Sequence, residues 1–361
     1  MRILLLSAYD AESHKRWRRG LVDAFPGWEW TVLTLPPRYF SWRIRGNSLS
    51  WAMGPERATL KQPYDLLIAT SMTDLSALRG LVPALANTPT LVYFHENQFA
   101  YPKTGLAHQS VEPQILNLYT ALCGDRVVFN SEFNRRTFLE GAAALLNKLP
   151  DCVPPQVVEH VATRSLVMPV PLEQELFDSA YGRGGKSDCF TISWAARWEY
   201  DKGADRLLSI LERLEAAGVE YQLNLLGQSF RKVPSQLIEI QNRFAHRLLK
   251  IGFVDSLEVY RKVLAESDVF LSTAYHEFQG LAVMEATALG AVPLVPHSMA
   301  YPEIYPGSCL YASEAAAVRR LLALQSIKQR GGTLEPVSMA HYGWDNWRQP
   351  YENAIRAARG L

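Results

Sequence analysis

Short runs of apolar residues alternate along the chain with longer stretches whose apolar positions recur at helical spacing. In the first half, the runs predict buried strands at residues 2–8, 30–35, 65–70, 90–94, 126–130 and 165–169. The stretches between them predict helices at residues 13–24, 75–85, 112–122 and 132–146, with Ser13 as the N-cap of the first. Strands that alternate with helices in this way are typical of a doubly wound parallel sheet.

The alternation breaks at residues 171–188, where the sequence GRGG at 182–185 indicates a linker. It resumes with predicted strands at 190–195, 221–226, 249–253, 269–272 and 292–295, and helices at 204–217, 256–266 and 281–289. We therefore predict an α/β protein with Rossmann-like domains at 1–170 and 189–342, a linker at 171–188 and a C-terminal helix within 343–361. Open α/β sheets bind ligands at the carboxyl ends of their strands, so we expect a cleft between these ends of the two sheets.

The composition is that of an ordinary globular protein. The chain has 361 residues, of which 48% are apolar and 20% charged, and its net charge of +1 argues neither for nor against nucleic acid. The four cysteines lack metal-ligand spacing, which predicts reduced thiols in a cytoplasmic protein. No apolar run approaches the ~20 residues of a membrane-spanning helix, so no membrane partner is predicted.

Several nucleotide and metal motifs are absent from the sequence. A dinucleotide site needs GxGxxG after the first strand, and residues 9–12 contain no glycine. A phosphate loop at 180–187 lacks its first glycine, because position 180 is alanine. A zinc-binding HExxH motif that began at His276 would need a second histidine where Gly280 stands. These observations argue against a dehydrogenase, a P-loop enzyme and a metalloprotease.

Residues 274–290 are the most informative stretch, because they form a predicted strand end, a loop and a helix start. The loop holds Glu277, and the helix carries Glu285. The free N–H groups and positive dipole end of a helix start suit an anion. Retaining glycosidases need carboxyl groups about 5–5.5 Å apart, whereas these two are separated by roughly 8 Å or more at ~1.5 Å per helical residue. We predict that they contact two parts of one long ligand; the alternative is helix capping and a solvated face.

Arg197 and Lys202 follow the predicted strand at 190–195, which places them at the same edge of the same sheet. Arginine binds phosphate in a bidentate fork, and lysine binds it as a point charge. Two cations and a helix N-terminus can neutralise a leaving nucleoside diphosphate without a metal ion. The second domain is therefore predicted to bind a diphosphate sugar.

Polar side chains also follow a strand of the first domain. His95, Glu96, Asn97 and Gln98 come directly after residues 90–94. An acceptor that carries sugar-like hydroxyl groups needs such donors and acceptors of hydrogen bonds. The alternative is a polar turn whose side chains cap neighbouring elements.

Two runs mix cations with aromatic residues and predict an RNA-binding patch. RNA phosphates attract cations, and unpaired bases stack on aromatic rings. The alternative for either run is a solvated helix face. The predicted patch comprises Lys15, Arg16, Arg18 and Arg19 in the first run, and Arg38, Trp42, Arg43 and Arg45 in the second.

These motifs together resemble the tRNA-queuosine α-mannosyltransferase family, within the retaining glycosyltransferases of GT-B fold. The resemblance covers the whole chain, and FHENQ at 94–98 is its most specific motif. Further matches are SHK at 13–15, YP at 101–102, VFNSEFN at 128–134, RWE at 197–199 and HEF at 276–278. Two departures are the missing glycines before Ser13 and the presence of Gln279 where an aromatic residue is usual.

The resemblance implies a role for each matching residue. On the donor side it implies that Arg197 and Lys202 bind the diphosphate, Glu277 the sugar hydroxyls and Glu285 the ribose. Further donor contacts are implied for Phe278, Gln279, Gly280 and Leu281, with Gly227, Phe253 and Val254 as candidates to line the base. It implies that His95 faces the reacting carbon, and that Ser13, His14, Glu96, Asn97, Gln98 and Tyr101 contact the acceptor.

The resemblance also implies the reaction. It implies retaining transfer of mannose from GDP-mannose to queuosine at the wobble position of a tRNA of the tRNA-Asp type, without a metal or other cofactor. It further implies two domains that face each other across a cleft, with the C-terminal helix packing back on the first. One alternative is the same chemistry on a lipid or saccharide acceptor, and another is a non-catalytic protein that binds a nucleotide sugar or RNA.

Overall fold

The computed structural model describes residues 1–101, 110–149, 151–177, 187–229 and 233–360. The chain divides into two compact units, the first comprising Met1–Pro171 and the C-terminal segment from Trp344, the second Leu172–Gly343. The described part of each unit contains a six-stranded sheet in which every pairing is parallel. The GRGG segment of the predicted linker, at 182–185, lies outside the described residues.

The sheet of the first unit has the strand order β2-β1-β3-β4-β5-β6. Its strands are β1 (Arg2–Ser7), β2 (Glu29–Thr34), β3 (Leu66–Thr70), β4 (Thr90–Phe94), β5 (Arg126–Phe129) and β6 (Ser165–Val167). Central strands β3 and β4 are buried along their whole length, as continuous apolar runs predict. The helices are α1 (Glu12–Ala24), α2 (Phe40–Met53), α3 (Arg57–Leu60), α4 (Leu75–Leu81), α5 (Glu112–Leu122), α6 (Glu132–Leu146), α7 (Val157–Ala162) and the C-terminal α14 (Trp344–Ala358).

Helix α14 packs on the first unit, which confirms that prediction. Tyr351 is buried, and its hydroxyl accepts a hydrogen bond from Trp17 Nε1 at 3.0 Å and donates one to Pro169 O at 3.0 Å. Trp17 in turn stacks on Tyr93 at the end of β4, with ring centroids 4.2 Å apart. The far end of the chain therefore supports the strand that carries the predicted acceptor residues.

Gly20 gives a test of this packing. A Cβ at Gly20 would lie 2.3 Å from the indole of Trp344, whereas a Cβ at Gly80, another helical glycine of this unit, meets nothing within 4 Å. Gly80→Ala should raise the free energy of unfolding by about 0.5–1 kcal/mol, the helix preference for alanine. Gly20→Ala should lower it, because overpacking costs about 1–3 kcal/mol. Urea unfolding of both variants measures this, and equal stabilisation by both would contradict the packing.

The sheet of the second unit has the order β12-β11-β10-β7-β8-β9. Its strands are β7 (Thr191–Ala195), β8 (Gln222–Leu226), β9 (Leu248–Gly252), β10 (Val269–Leu271), β11 (Val292–Pro296) and β12 (Leu310–Tyr311). Its helices are α8 (Ala204–Ala216), α9 (Ser235–Arg243), α10 (Leu257–Ala265), α11 (Leu281–Ala288), α12 (Tyr301–Ile304) and α13 (Glu314–Gln329). Buried apolar side chains of α8 and α13 pack on one face of this sheet, and those of α10 and α11 belong to a second buried cluster.

The structure corrects several predicted details. Ser13 is not the N-cap of α1, because the helix begins at Glu12 and Ala11 occupies the cap position. The helix predicted at 75–85 ends at Leu81 and is followed by a 3₁₀ turn that starts at Pro83, since proline restricts the residue before it. The sequence pattern did not reveal the helices α2, α9 and α13 or the short strand β12.

Candidate active site

The loop between β10 and α11 ends in a left-handed turn at Gly280, whose φ is 81°. A Cβ there would lie 2.8 Å from the ring of Tyr301, so both the backbone angle and the space favour glycine. Helix α11 begins at the next residue, and its buried Glu285 is 4% exposed. The sequence thus places Glu277 before the helix start and Glu285 one turn inside it.

Lys202 and Glu277 form an ion pair at the carboxyl edge of this sheet. Lys202 Nζ lies 3.3 Å from Glu277 Oε2 and 3.2 Å from Asp201 Oδ2, and it donates a hydrogen bond to His276 O at 3.2 Å. Burial by itself raises the pKa of Glu277, but the neighbouring Lys202 ammonium outweighs it and the net effect is a lowered pKa. The Glu277 carboxylate is therefore ionised and able to accept hydrogen bonds.

The backbone holds this pair in place. The φ of Gly203 is 68°, and a Cβ added there would lie 2.0 Å from Thr273 O. The loops after β7 and β10 therefore touch through their main chains. Thr273 Oγ1 donates to Lys202 O at 2.9 Å and accepts from Trp194 Nε1 at 2.9 Å. A pocket of ≈ 300 Å³, including its open mouth, lies beside the pair and is lined by Lys202, Glu277, Gly280 and Tyr301, among others.

The other predicted donor residues lie on the same unit. Arg197 follows β7, and its half-exposed side chain pairs with Glu199 at 3.1 Å. Gly227 follows β8, and its N–H bonds to Gly252 O at 3.0 Å, which places it beside the exposed Phe253 at the end of β9. Phe278 and Gln279 are buried, whereas Val254 and Leu281 are half-buried.

His95 follows β4 in the first unit and is 4% exposed. Its ring stacks on His14 of α1, with centroids 4.0 Å apart. Neither ring nitrogen has a hydrogen-bond partner among the described residues. Burial, and secondarily the charge of His14, hold the pKa of His95 well below its usual range. A neutral imidazole with open hydrogen-bonding capacity suits a ligand that carries hydroxyl groups.

The low pKa of His95 makes a prediction about stability. Below about pH 6.5 the unfolded chain binds a proton at His95 that the folded protein does not, so stability falls as pH falls from there. One such proton changes the free energy of unfolding by about 1.4 kcal/mol per pH unit. Unfolding at pH 7 and pH 5.5 should therefore show a shallower pH dependence for His95→Gln than for the wild type. Equal pH dependence of the two proteins would contradict this account.

Glu96 links the two histidine-bearing segments. Its carboxylate accepts from Ser71 Oγ at 3.2 Å and lies 3.1 Å from His14 Nε2. Ser13 beside it on α1 is half-buried, as is Gln98, and Tyr101 is 39% exposed. These residues, apart from Tyr101, lie near the carboxyl end of the sheet, as the predicted acceptor site requires.

Asn97 is a correction to that predicted acceptor site. It is fully buried, and its Nδ2 donates to Asn134 Oδ1 at 2.9 Å and Asn134 O at 3.0 Å. Its Oδ1 accepts from the N–H groups of Phe99 and Ala100, which closes the turn. Asn134 and Asn130 continue this amide network, and Asn130 Nδ2 donates to His95 O at 2.8 Å. Asn97 therefore holds the loop in shape instead of facing a ligand.

The predicted RNA patch is also altered by the structure. Arg43 is 8% exposed, so it does not belong to a surface patch. Arg18 forms a bidentate pair with Asp10, and Arg45 pairs with Asp74 at 2.8 Å. Lys15 lies 3.6 Å from Glu12. The side chains of Arg19, Arg38 and Trp42 are exposed and that of Arg16 is half-buried, and RNA binding by this surface stays a prediction.

Comparison with known sequences connects both units to one family. The family model described as tRNA-queuosine alpha-mannosyltransferase N-terminal matches residues 2–172, and that described as glycosyl transferases group 1 matches residues 189–324. The chain is 30% identical over 326 residues to the tRNA-queuosine alpha-mannosyltransferase of Drosophila melanogaster, covering 88% of this chain and 85% of that protein. This chain belongs to the tRNA-queuosine alpha-mannosyltransferase family.

Solved structures show the fold of this family member. Sucrose-phosphate synthase from Thermosynechococcus elongatus has a TM-score of 0.72 at 15% identity, over 99% of this chain and 98% of that chain. Anabaena Alr3699/HepE in complex with UDP-glucose has a TM-score of 0.69 at 14% identity, over 99% and 100%. The fold is thus that of the GT-B glycosyltransferases, as predicted.

Two further features of this mannosyltransferase family member concern metals and membranes. Among the residues that the structure describes, no three histidine, cysteine or carboxylate side chains gather where they could hold a metal ion. None of the helices within the described ranges is both long and apolar enough to cross a bilayer. Cytoplasmic location stays a prediction.

The sequence missed residues that act through their neighbours. Asp201 was not predicted as a partner of Lys202, although it directly precedes it. Asn130 and Asn134 lie within the family motif VFNSEFN at 128–134, yet their contact with the His95 backbone was not foreseen. The motif itself was the available signal, because asparagine side chains where a strand leads into a helix favour hydrogen bonds to nearby backbone groups.

Proposed function

We propose that this protein transfers mannose, with retention of configuration, from GDP-mannose to queuosine at the wobble position of a tRNA of the tRNA-Asp type. The observation that carries the proposal is the 30% identity over 88% of the chain to a protein named tRNA-queuosine alpha-mannosyltransferase. The ion-paired Lys202 and Glu277 support it, because they provide a cation for a diphosphate and a carboxylate for sugar hydroxyls.

The proposed chemistry needs no protein nucleophile. The bond between the anomeric carbon and the diphosphate oxygen breaks, and its electron pair stays on the phosphate. The acceptor hydroxyl forms the new bond from the same face and passes its proton to that phosphate oxygen. Lys202 and Arg197 neutralise the growing phosphate charge, and we propose that no metal ion is required.

We assign the remaining roles along the same lines. Glu277 accepts hydrogen bonds from mannose hydroxyls, Glu285 accepts them from the ribose, and the N–H groups at the start of α11 bind the diphosphate. His95, kept neutral by its burial, is assigned to hydroxyl groups of the sugar and its acceptor. Gly227 and Phe253, at neighbouring strand ends, are assigned to the guanine base.

The donor assignment is tested by melting the protein with GDP-, UDP- and ADP-sugars. GDP-mannose should raise the melting temperature most, by mass action on the folded state. A larger shift with UDP-glucose would overturn the assignment of donor.

The acceptor is tested by supplying labelled GDP-mannose with queuosine-containing tRNA or with polyprenyl phosphates. Label in the lipid and none in the tRNA would overturn the assignment of acceptor.

A further inference from the structure

The exposed aromatic residues at the start of α2 are placed unlike ordinary surface side chains. Trp42 is 55% exposed, yet a Cβ at Gly46 would lie 2.3 Å from its ring. The indole therefore packs against the helix one turn along, at a position where only glycine leaves room for it. The helix holds one side of the ring in place, and the other side is open to solvent.

Tyr39, which precedes the helix, is 68% exposed and adopts the left-handed conformation with φ of 55°. That conformation is costly for a residue with a bulky side chain, and such strain concentrates at functional sites. The guanidinium of the exposed Arg38 lies 5.7 Å from the centroid of the Tyr39 ring. Two aromatic rings are thus held outward, three residues apart, with a cation beside one of them.

This segment is continuous with the predicted acceptor side of the first unit. Phe40 packs edge-on against Tyr9, which follows β1, with centroids 5.8 Å apart. Phe40 and Tyr9 also pack against a small buried cluster that includes Met72, which follows β3. Met72 Sδ accepts a weak hydrogen bond from Gln98 Nε2 at 3.8 Å. The start of α2, which carries the two exposed rings, is therefore connected by packing to the carboxyl edge of the sheet at which His95 and Glu96 lie.

The charges nearby favour stacking over phosphate binding. Arg43 is buried, and Arg45 is neutralised by Asp74 and Glu112, which leaves few free cations next to the rings. Unpaired bases stack on exposed aromatic side chains, and cations contribute to that contact. A wobble nucleoside lies in a single-stranded loop, so its neighbours are bases that can be splayed out.

We propose that Tyr39 and Trp42 form a stacking platform for unpaired bases that flank the acceptor nucleoside in its RNA loop. This inference rests on the proposed function for the identity of the RNA. In this proposal, the segment at residues 38–45 binds RNA through two aromatic rings that stack on unpaired bases, and not mainly through cations that bind phosphates. The platform selects single-stranded loops over duplex RNA, because duplex bases offer no open face.

The first test measures binding of a queuosine-containing anticodon stem-loop by fluorescence anisotropy. Because stacking of one base is worth about 1–3 kcal/mol, Trp42→Ala should weaken binding about 5- to 140-fold. Trp42→Phe should retain most of it, and Trp42→Leu should behave like Trp42→Ala. Tyr119→Ala removes another exposed aromatic residue of this unit and should bind like the wild type. The salt dependence of binding should be the same for Trp42→Ala and the wild type, since no phosphate contact is lost.

Two outcomes would overturn the platform. Binding by Trp42→Ala within twofold of the wild type would show that no base stacks there. Full binding by Trp42→Leu would show that the surface is an apolar docking face for a protein. Failure of the proposed function is distinguishable, because it would leave the wild type inactive with GDP-mannose while its stem-loop binding still responded to Trp42→Ala. Melting shifts with GDP-mannose should be unchanged in Trp42→Ala, since the donor residues lie in the other unit.

Discussion

Replacing Lys202 by alanine is expected to lower kcat/KM for mannosyl transfer about 10²- to 10³-fold, the usual effect of removing one group that stabilises transition-state charge. The side chain is only 13% exposed and is held by Glu277, Asp201 and a backbone carbonyl. Its ammonium is therefore already oriented when the diphosphate arrives. Steady-state kinetics and GDP affinity, measured on the same preparations, report the loss.

Lys262→Ala is the matched control for this substitution. Lys262 lies on α10 of the same unit, with a side chain that is 74% exposed. Lys262→Ala should leave kcat/KM unchanged, because exposed ion pairs contribute little free energy. Lys202→Gln keeps most of the side-chain volume without the charge and should resemble Lys202→Ala. Activity near the wild-type value in both Lys202 variants would show that the diphosphate is bound elsewhere.

Gly203→Ala is expected to lower the free energy of unfolding by about 2–5 kcal/mol, from two separate costs. A residue with a Cβ in the left-handed backbone conformation costs about 1–2 kcal/mol of folding free energy. Overpacking of that Cβ against Thr273 O adds a further cost of about 1–3 kcal/mol. The substitution separates the loops after β7 and β10, so Lys202 also moves away from Glu277. Both the free energy of unfolding and the melting shift with GDP should therefore decrease.

Gly218 provides a control with nearly the same backbone angle. Its φ is 66°, against 68° for Gly203, but a Cβ there meets nothing within 4 Å. Gly218→Ala should cost only the conformational part, about 1–2 kcal/mol, and should leave the response to GDP intact. Equal losses in the two variants would mean that the contact between the loops does not support the donor site.

The strands could be predicted from the sequence because the central ones are continuous apolar runs. Residues 90–94, 112–122 and 132–146 were predicted with the bounds that the structure shows for β4, α5 and α6. Helix α2 could not be predicted in this way. Its buried positions include Arg43, Asn47 and Ser48, so apolar residues do not recur at helical spacing. Contacts to distant parts of the chain, such as Asn47 Nδ2 to Met72 O, stabilise it instead.

The contact between Lys202 and Glu277 was easier to predict than the contacts of the residues predicted to bind the acceptor. Lys202 and Glu277 are brought together because both follow strands of one parallel sheet, and strand ends can be located from apolar runs. The role of Asn97 depends on Asn134, which lies 37 positions further along the chain. Similarly, Arg18 and Arg45 are neutralised by carboxylates that the local sequence does not reveal. Side-chain partners across long separations appear only once the fold is known.

The central claim is that the protein places mannose on queuosine in tRNA. The direct measurement is the mass of the queuosine nucleoside, after incubation of queuosine-containing tRNA with GDP-mannose and the enzyme and digestion of the RNA. The account predicts a gain of one hexose, recovered as α-mannose, with no gain for the same tRNA carrying guanosine or with Lys202→Ala. An unchanged queuosine mass, in a reaction that consumes GDP-mannose, would contradict the account.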